Sequence, residues 1–564
     1  IIGRSAGRGS KQQASIIIGK DAGFNLTSGS GNIIIGNSAA YNGGDNNSNS
    51  NTYYQKNIFI GGGVAKYLKK ASGNVALGID TFANYKTGSD NFVVGFRAAF
   101  NNAGTGTRDF GTNNIAFGSY AMSGDSGNFN GGDHNFFVGH QAGAAATNCD
   151  YTIALGYKAG RSVGDGSDSN TFLGREVALN FKDGDNNIAI GTSAMYNADS
   201  GSENIAIGSN SLQGSEGVDA GVFTKNIAIG HDSLKDMRSG AGNVSIGGHA
   251  MENAGENAEH LDDNVAIGRY SINNLEKGDF NIALGYYSMR LMQSGSNNIA
   301  IGNLAMGDNA NNNTGAEATN NIAVGYNALG DIKNGSGNIA IGPNAMNSVE
   351  GTDSGNVTNN VALGSSVLQN LEQGSNAAGF EGNDGGNFAA LEGAMQVVVS
   401  GSENIAIGYR ALYGGGTNKD GGMRQIFLGY TAGLNSDGGR ENVAIGFEAG
   451  YSVQGRQNGL LGYQAGKAIT TGYKNTCVGR TAGSNLQTGY DNLFLGQAQA
   501  SATNVNNEVA LGGNVTGGGT ETVRIGRSSD HITNDFGENA TWTHSSDKRI
   551  KKDIEDNTLG LEFI

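Results

Sequence analysis

One short pattern, Asn-Ile-Ala-Ile-Gly at 204–208, returns unchanged or with one substitution at Asn226, Asn281, Asn298, Asn338 and Asn404, and degenerate copies fill most of the chain between them. A chain that repeats at such spacing is restricted to architectures in which each copy buries its apolar side against the next. With the pattern glycine as a ruler, Gly19 to Gly36, Gly61 to Gly78, Gly191 to Gly208, Gly285 to Gly302 and Gly429 to Gly446 are each 17 residues apart. The longer steps, such as Gly36 to Gly61 at 25 residues, carry insertions. The widest gap, Gly364 to Gly408, holds Asn387-Phe388-Ala389-Ala390-Leu391, a copy with Leu391 in the glycine slot, and a distorted coil is expected there.

Within a copy, Ile205 and Ile207 alternate with Ala206, the period of two that marks a short strand. We read Ile205 and Ile207 as pointing into the coil. The middle position is apolar too, as at Phe59, Val93, Phe137, Phe172, Phe427 and Phe494, so the opposite face needs cover from a neighbouring chain or a second layer. The glycine permits a sharp corner because it tolerates positive φ at no steric cost. Three residues past it comes a small residue, such as Ala39, Ala98, Ala194 or Ser211, suited to a second short side packed close to the first. The Asn that opens each strand is placed either to bond its equivalents in the adjacent coils or to cap its own turn. The expected fold class is all-β, a parallel β-roll or β-helix solenoid of ~17-residue repeats. At the ~4.8 Å spacing of paired strands, about 28 coils would extend roughly 130 Å.

Composition narrows the class further. Glycine supplies 96 of 564 residues, without collagen's every-third spacing. Apolar residues recur in register, which disordered chains lack. A formal net charge of −15 repels duplex nucleic acid and anionic membranes, and no apolar run approaches the ~20 residues of a membrane helix. No nucleic-acid partner and no membrane insertion are expected. Cys149 and Cys477 lie too far apart in a stacked repeat to pair, and read as small buried hydrophobes. The chain opens in mid-repeat at Ile1-Ile2-Gly3 and closes on Leu561-Glu562-Phe563-Ile564, which we read as a piece of a longer protein.

Across residues 1–512 the Asn-x-apolar-Ala-Ile-Gly-x-x-Ala pattern resembles the head repeats of trimeric autotransporter adhesins. That resemblance implies a left-handed parallel β-roll in which three chains pack around an axis, either side by side or intertwined. A homotrimer would supply the cover that the two-faced strand demands.

Insertions fall after the second side and before the next Asn, the longest within 42–56, 101–112, 124–133, 213–224, 253–262, 308–319, 348–358 and 369–386. In a solenoid such insertions emerge on one face, often a binding face. Their aromatics Tyr53, Tyr54, Phe110, Phe129 and Phe223 are candidate contacts for a cell-surface glycan or protein receptor, or else rings folded back onto the roll. Asp-rich runs such as Asp165-Gly166-Ser167-Asp168 match no calcium-loop pattern and read as turns. The seven histidines are scattered, and no metal or cofactor site is expected.

Beyond Gly512 the repeat fades through a β-rich connector, 513–545, and the charge turns basic at Lys548. The stretch Ser546-Asp547-Lys548-Arg549-Ile550-Lys551-Lys552-Asp553-Ile554, with Leu559-Gly560-Leu561 after it, resembles the opening of the endosialidase-type C-terminal intramolecular chaperone of phage tail fibres and spikes, present here as a truncated segment, 546–564. The resemblance implies chaperone-assisted trimerisation and self-cleavage between Ser545 and Ser546, with Ser546 as nucleophile and Lys551 as its base. Such a dyad is chemically sound when burial depresses the lysine's pKa. The alternative is a helix start with Ser546 as N-cap. For the repeat region no enzymatic role is expected. The leading expectation is a virion tail fibre that mediates host-surface attachment. A bacterial surface adhesin built from the same repeats is the alternative, and a polysaccharide depolymerase a third reading.

Overall fold

The computed structural model describes residues 1–42, 53–102, 108–124, 132–214, 222–254, 261–307, 318–330, 335–347, 357–370, 386–398, 400–414, 420–537 and 539–545. Strands and turns make up every regular element among them. The fold is a parallel β-solenoid of ~17-residue turns, and contacts divide it into two compact units, 1–298 and 299–564.

In the first unit, three-residue strands stack one per coil from Ile16–Ile18 to Ile282–Leu284, all parallel. Register is strict: Ile188 lies opposite Ile205 and then Ile227, Ala189 opposite Ala206 and Ala228, Ile190 opposite Ile207 and Ile229. A second sheet runs along another side of the coil through Gln12–Gln13, Ser28–Ser30, Tyr53–Gln55, Lys70–Ser72, Thr87–Ser89 and Asp109–Thr112. In the second unit the same strand stack runs from Ile299–Ile301 to Thr522–Arg527. There parallel pairing ends, and His531–Asp535 and Asn539–Ser545 follow as an antiparallel meander.

The alternation within the strand has the sense opposite to the one expected from sequence. Ala206 is fully buried, as are Phe59, Val93, Phe137, Phe172, Phe427 and Phe494 at the same position, whereas Ile205 is half-buried and Ile207 exposed. The reason is interior width. Each coil is filled from several sides at once, so a three-residue strand contributes one inward side chain rather than two.

Size complementarity inside the coil shows the constraint directly. Where the inward strand residue is large, the residue six positions later, on the second side, is small: Phe137 with Gly143, Phe427 with Gly433, Phe59 with Ala65. Where it is Ala, that partner is large in most coils, as in Ala206 with Leu212, Ala189 with Met195 and Ala228 with Leu234, with exceptions such as Ala154 with Gly160 and Ala444 with Gly450. All of these large side chains are buried. A β-carbon at Gly143 would meet the Phe137 ring at 2.6 Å, on Cε1. The interior is thus filled largely by matched pairs, as close packing of a narrow coil requires.

The second side is a run of turns in which every other residue has positive φ, for example Asn210 at 55° and Leu212 at 49°. Non-glycine residues pay roughly 1–2 kcal/mol for that conformation, and hydrogen bonds between coils offset it. Asn210 N–H donates to the Thr192 carbonyl on one side at 3.0 Å and Leu212 N–H to the Ser233 carbonyl on the other at 2.9 Å. At the corner itself the glycine φ lies far from the range of other residues, 137° at Gly208, and a β-carbon there would strike the carbonyl oxygen of Gly230 in the next coil. Leu391 occupies this slot at φ 75°. The expected distortion is confined to that corner, because Phe388–Ala390 keeps its register with Val361–Leu363 and Ile405–Ile407.

Candidate functional surface

With the middle residue turned inward, the first and third residues of each strand stand outside. Ile188 and Ile190 are 39% and 36% exposed, and their register partners continue two parallel rows. One row reads Ile188, Ile205, Ile227, Val244, Val265 and the other Ile190, Ile207, Ile229, Ile246, Ile267. The second unit repeats the arrangement, with Ile322, Ile339 and Val361 in one row and Val324, Ile341 and Leu363 in the other. Scattered surface isoleucines need no explanation, whereas contiguous rows of them form an exposed apolar stripe that does.

Beside these rows, in the second unit, the residue after the corner glycine builds a ladder of rings. Tyr409, Tyr430, Phe447 and Tyr463 stack face to face with centroids 5.1, 5.2 and 5.2 Å apart and planes within 16°. Arg480 closes one end, 5.8 Å from the Tyr463 centroid. The rings use their faces on each other and present their edges outward.

Of the aromatics given two readings from sequence, receptor contact or ring folded onto the roll, three are turned into the coil. Tyr54, Phe110 and Phe223 are buried. Tyr54 hydroxyl donates to the Leu68 carbonyl at 2.6 Å, and burial pushes its pKa well above the usual tyrosine range. Phe110 packs edge-on against Phe82 and Tyr85, centroids 5.1 and 5.0 Å away. Only Tyr53 of the described candidates is exposed, its hydroxyl donating to Gln55 Oε1 at 2.8 Å. Phe129 lies outside the described residues. Their position held the signal: Tyr54 and Phe223 each precede a strand Asn by three residues, an inward slot filled by Gly or Ala in many other coils, as at Ala71, Gly201 and Gly240.

Ser545 ends the last described strand, opposite His531, while Ser546 and Lys551 lie outside the described residues. The Asp-rich turns form a hydrogen-bonded ladder. Asp168 Oδ1 accepts the N–H of Asp150, and Asp185 Oδ1 that of Asp168, both at 2.8 Å. Both cysteines are buried, and burial raises each thiol to about 12, so they are inert hydrophobes. Two histidines that look scattered in the sequence, His231 and His249, meet beside Asp232. Eighteen residues separate them, one coil plus a slot, a spacing that carries meaning only once the coil register is known.

No protein-family model, curated protein or solved structure matches this chain.

Proposed function

We propose that the chain is the shaft of a homotrimeric fibre, with the outward isoleucine rows as its inter-chain seam, and that the fibre attaches to a host surface. The rows around Ile188 and Ile190 carry this reading. A second copy of the chain bears the same rows at the same coil spacing, so parallel copies match row to row over many coils. A partner without the repeat would find that match in one or two coils only. Each copy of a trimer has two neighbours, enough to cover both rows.

The resemblances to trimeric autotransporter heads and to the tail-fibre chaperone support the same stoichiometry from separate stretches of the chain. In this reading Ser546 and Lys551 release the chaperone once three chains have assembled. Three parallel chains present three copies of any receptor contact, and weak sites then add through effective concentration. A virion tail fibre is the setting we favour, with a glycan or protein of the host envelope as its receptor. Light scattering of the purified chain at micromolar concentration tests the assembly. The expected mass is three times the chain's 57.8 kDa, and a monomer mass would overturn the proposal.

A further inference from the structure

At one place in the first unit, polar groups converge in a way the coil does not require. His231 and Asp232 follow the corner glycine Gly230, His249 takes the slot of Asp232 one coil on, and Glu252 lies three residues further. Other coils fill the slots of His231, Asp232 and His249 with Thr192, Ser193, Ser209 or Asn210, so none of these three is needed for the turn. Asp232 Oδ2 lies 3.1 Å from His231 Nδ1 and 3.6 Å from His249 Nδ1. Glu252 Oε2 lies 2.9 Å from His249 Nδ1. The Asp232 side chain is only 9% exposed, and a buried carboxylate needs compensation.

We propose that His231, His249 and Asp232 bind one divalent transition-metal ion of the Zn²⁺ type, with a water as fourth ligand and Glu252 beside His249. Metal–ligand bonds of about 2.0–2.1 Å in a tetrahedron place ligand atoms about 3.4 Å apart, and the separations of Asp232 Oδ2 from the two histidines, 3.1 and 3.6 Å, bracket that value. Two imidazoles with one carboxylate suit Zn²⁺ or Ni²⁺, whereas Ca²⁺ takes six or more oxygens. The supporting groups are in place. Asn210 Nδ2 donates to Asp232 Oδ1 at 2.9 Å and orients the carboxylate. Tyr270 stacks on His249 at 4.8 Å with planes 9° apart and fixes the ring. Asn273 Nδ2 donates to Glu252 Oε2 at 3.4 Å. Lys235 Nζ approaches the other Glu252 oxygen, at 3.9 Å. Such outer contacts hold ligands in the orientation a metal requires.

Titration calorimetry of the whole chain with ZnCl₂ tests the site. One Zn²⁺ per chain is expected, weakened at least tenfold by His249→Ala and by His231→Ala, while His140→Ala changes nothing. His231 is exposed, so His231→Ala keeps the fold, and an unchanged circular-dichroism melt verifies this. Loading with Co²⁺ should give the intense visible bands of four-coordinate cobalt, absent in His231→Ala/His249→Ala. Binding that survives this double substitution, binding of Ca²⁺ as tight as that of Zn²⁺, or no Zn²⁺ binding by the parent chain would each overturn the assignment.

Discussion

The side-chain oxygen of Asn187 accepts two hydrogen bonds from Asn204 one coil on, from its backbone N–H at 3.0 Å and from its side-chain amide at 2.9 Å. Asn204 also donates to the Phe223 carbonyl at 2.7 Å, and its own oxygen receives Asn226 in the same way. Every hydrogen-bonding position of this buried amide is engaged. The amide therefore does two things at once, closing its own coil and tying it to both neighbours.

Asn204→Asp keeps the acceptor but replaces two donated hydrogen bonds by a buried charge facing two acceptors. The expected cost is about 3 kcal/mol. Long repeat arrays melt locally rather than in one step, so the measurement is hydrogen exchange. Amides of Ile188–Ile190 and Ile227–Ile229 should exchange roughly a hundredfold faster. Thr152 supplies the converse: it stands in the ladder slot, giving its N–H to Asn135 Oδ1 at 2.9 Å, but has no side-chain amide. Thr152→Asn should slow local exchange about tenfold, for a gain of about 1 kcal/mol. No slowing would mean that the ladder is incidental to stability.

The ladder was legible in the sequence because Asn recurs at a fixed point of most copies, and few roles suit a repeated amide. The sense of the strand was not, since a period of two separates two faces without saying which one is inside. That information lay in a different pairing, Phe137 with Gly143 against Ala206 with Leu212, six residues apart and visible only once copies are aligned and compared by size. The placement of Tyr54 and Phe223 stayed open between two readings for a related reason. They follow long insertions, and only their distance from Asn57 and Asn226 reveals that the chain has already rejoined the coil. The meeting of His231 with His249 depends on the length of one particular coil, which a ruler of variable step does not give.

The paired packing makes a strong test by double-mutant cycle. Phe137→Ala should cost about 3–5 kcal/mol through the cavity it leaves. Gly143→Leu should cost about 1–3 kcal/mol by overfilling the same space. Leucine is acceptable to the backbone there, since Leu212 and Leu234 hold the equivalent slot at φ 49° and 51°. The double variant recreates the Ala–Leu pairing of other coils and should recover about 2 kcal/mol relative to the sum of the singles. Additive losses, read from hydrogen exchange of the Phe136–Val138 amides, would show that the two side chains do not share one cavity.

Corner geometry gives opposite signs at two sites. Gly208→Ala places a β-carbon against the Gly230 carbonyl, and neither backbone can retreat without breaking the stack, so a loss of about 3 kcal/mol is expected. Leu391→Gly goes the other way. Leucine at φ 75° costs about 1–2 kcal/mol, the entropy that glycine loses on folding about 0.5–1 kcal/mol, and the side chain is 56% exposed, so little burial is given up. The balance is a gain of up to about 1 kcal/mol, measurable as slower exchange of the Phe388–Ala390 amides. Faster exchange in Leu391→Gly would contradict this account of the corner.

The last prediction separates assembly from folding. Ile188 and Ile207 both point outward, while Ala189 and Ala206 between them fill the coil. Ile188→Glu/Ile207→Glu leaves the interior pairs untouched and puts two charges into the rows proposed as the seam. In an isolated chain each charge is solvated, and surface changes of this kind alter stability by about 0.5 kcal/mol or less. In a seam each would be desolvated in all three copies at once, with like charges brought near one another, at several kcal/mol per site. Light scattering should therefore show the variant as a monomer with the parent's circular-dichroism spectrum. An unchanged oligomer mass would place the seam elsewhere, and loss of both mass and spectrum would mean that the coil does not form without its neighbours.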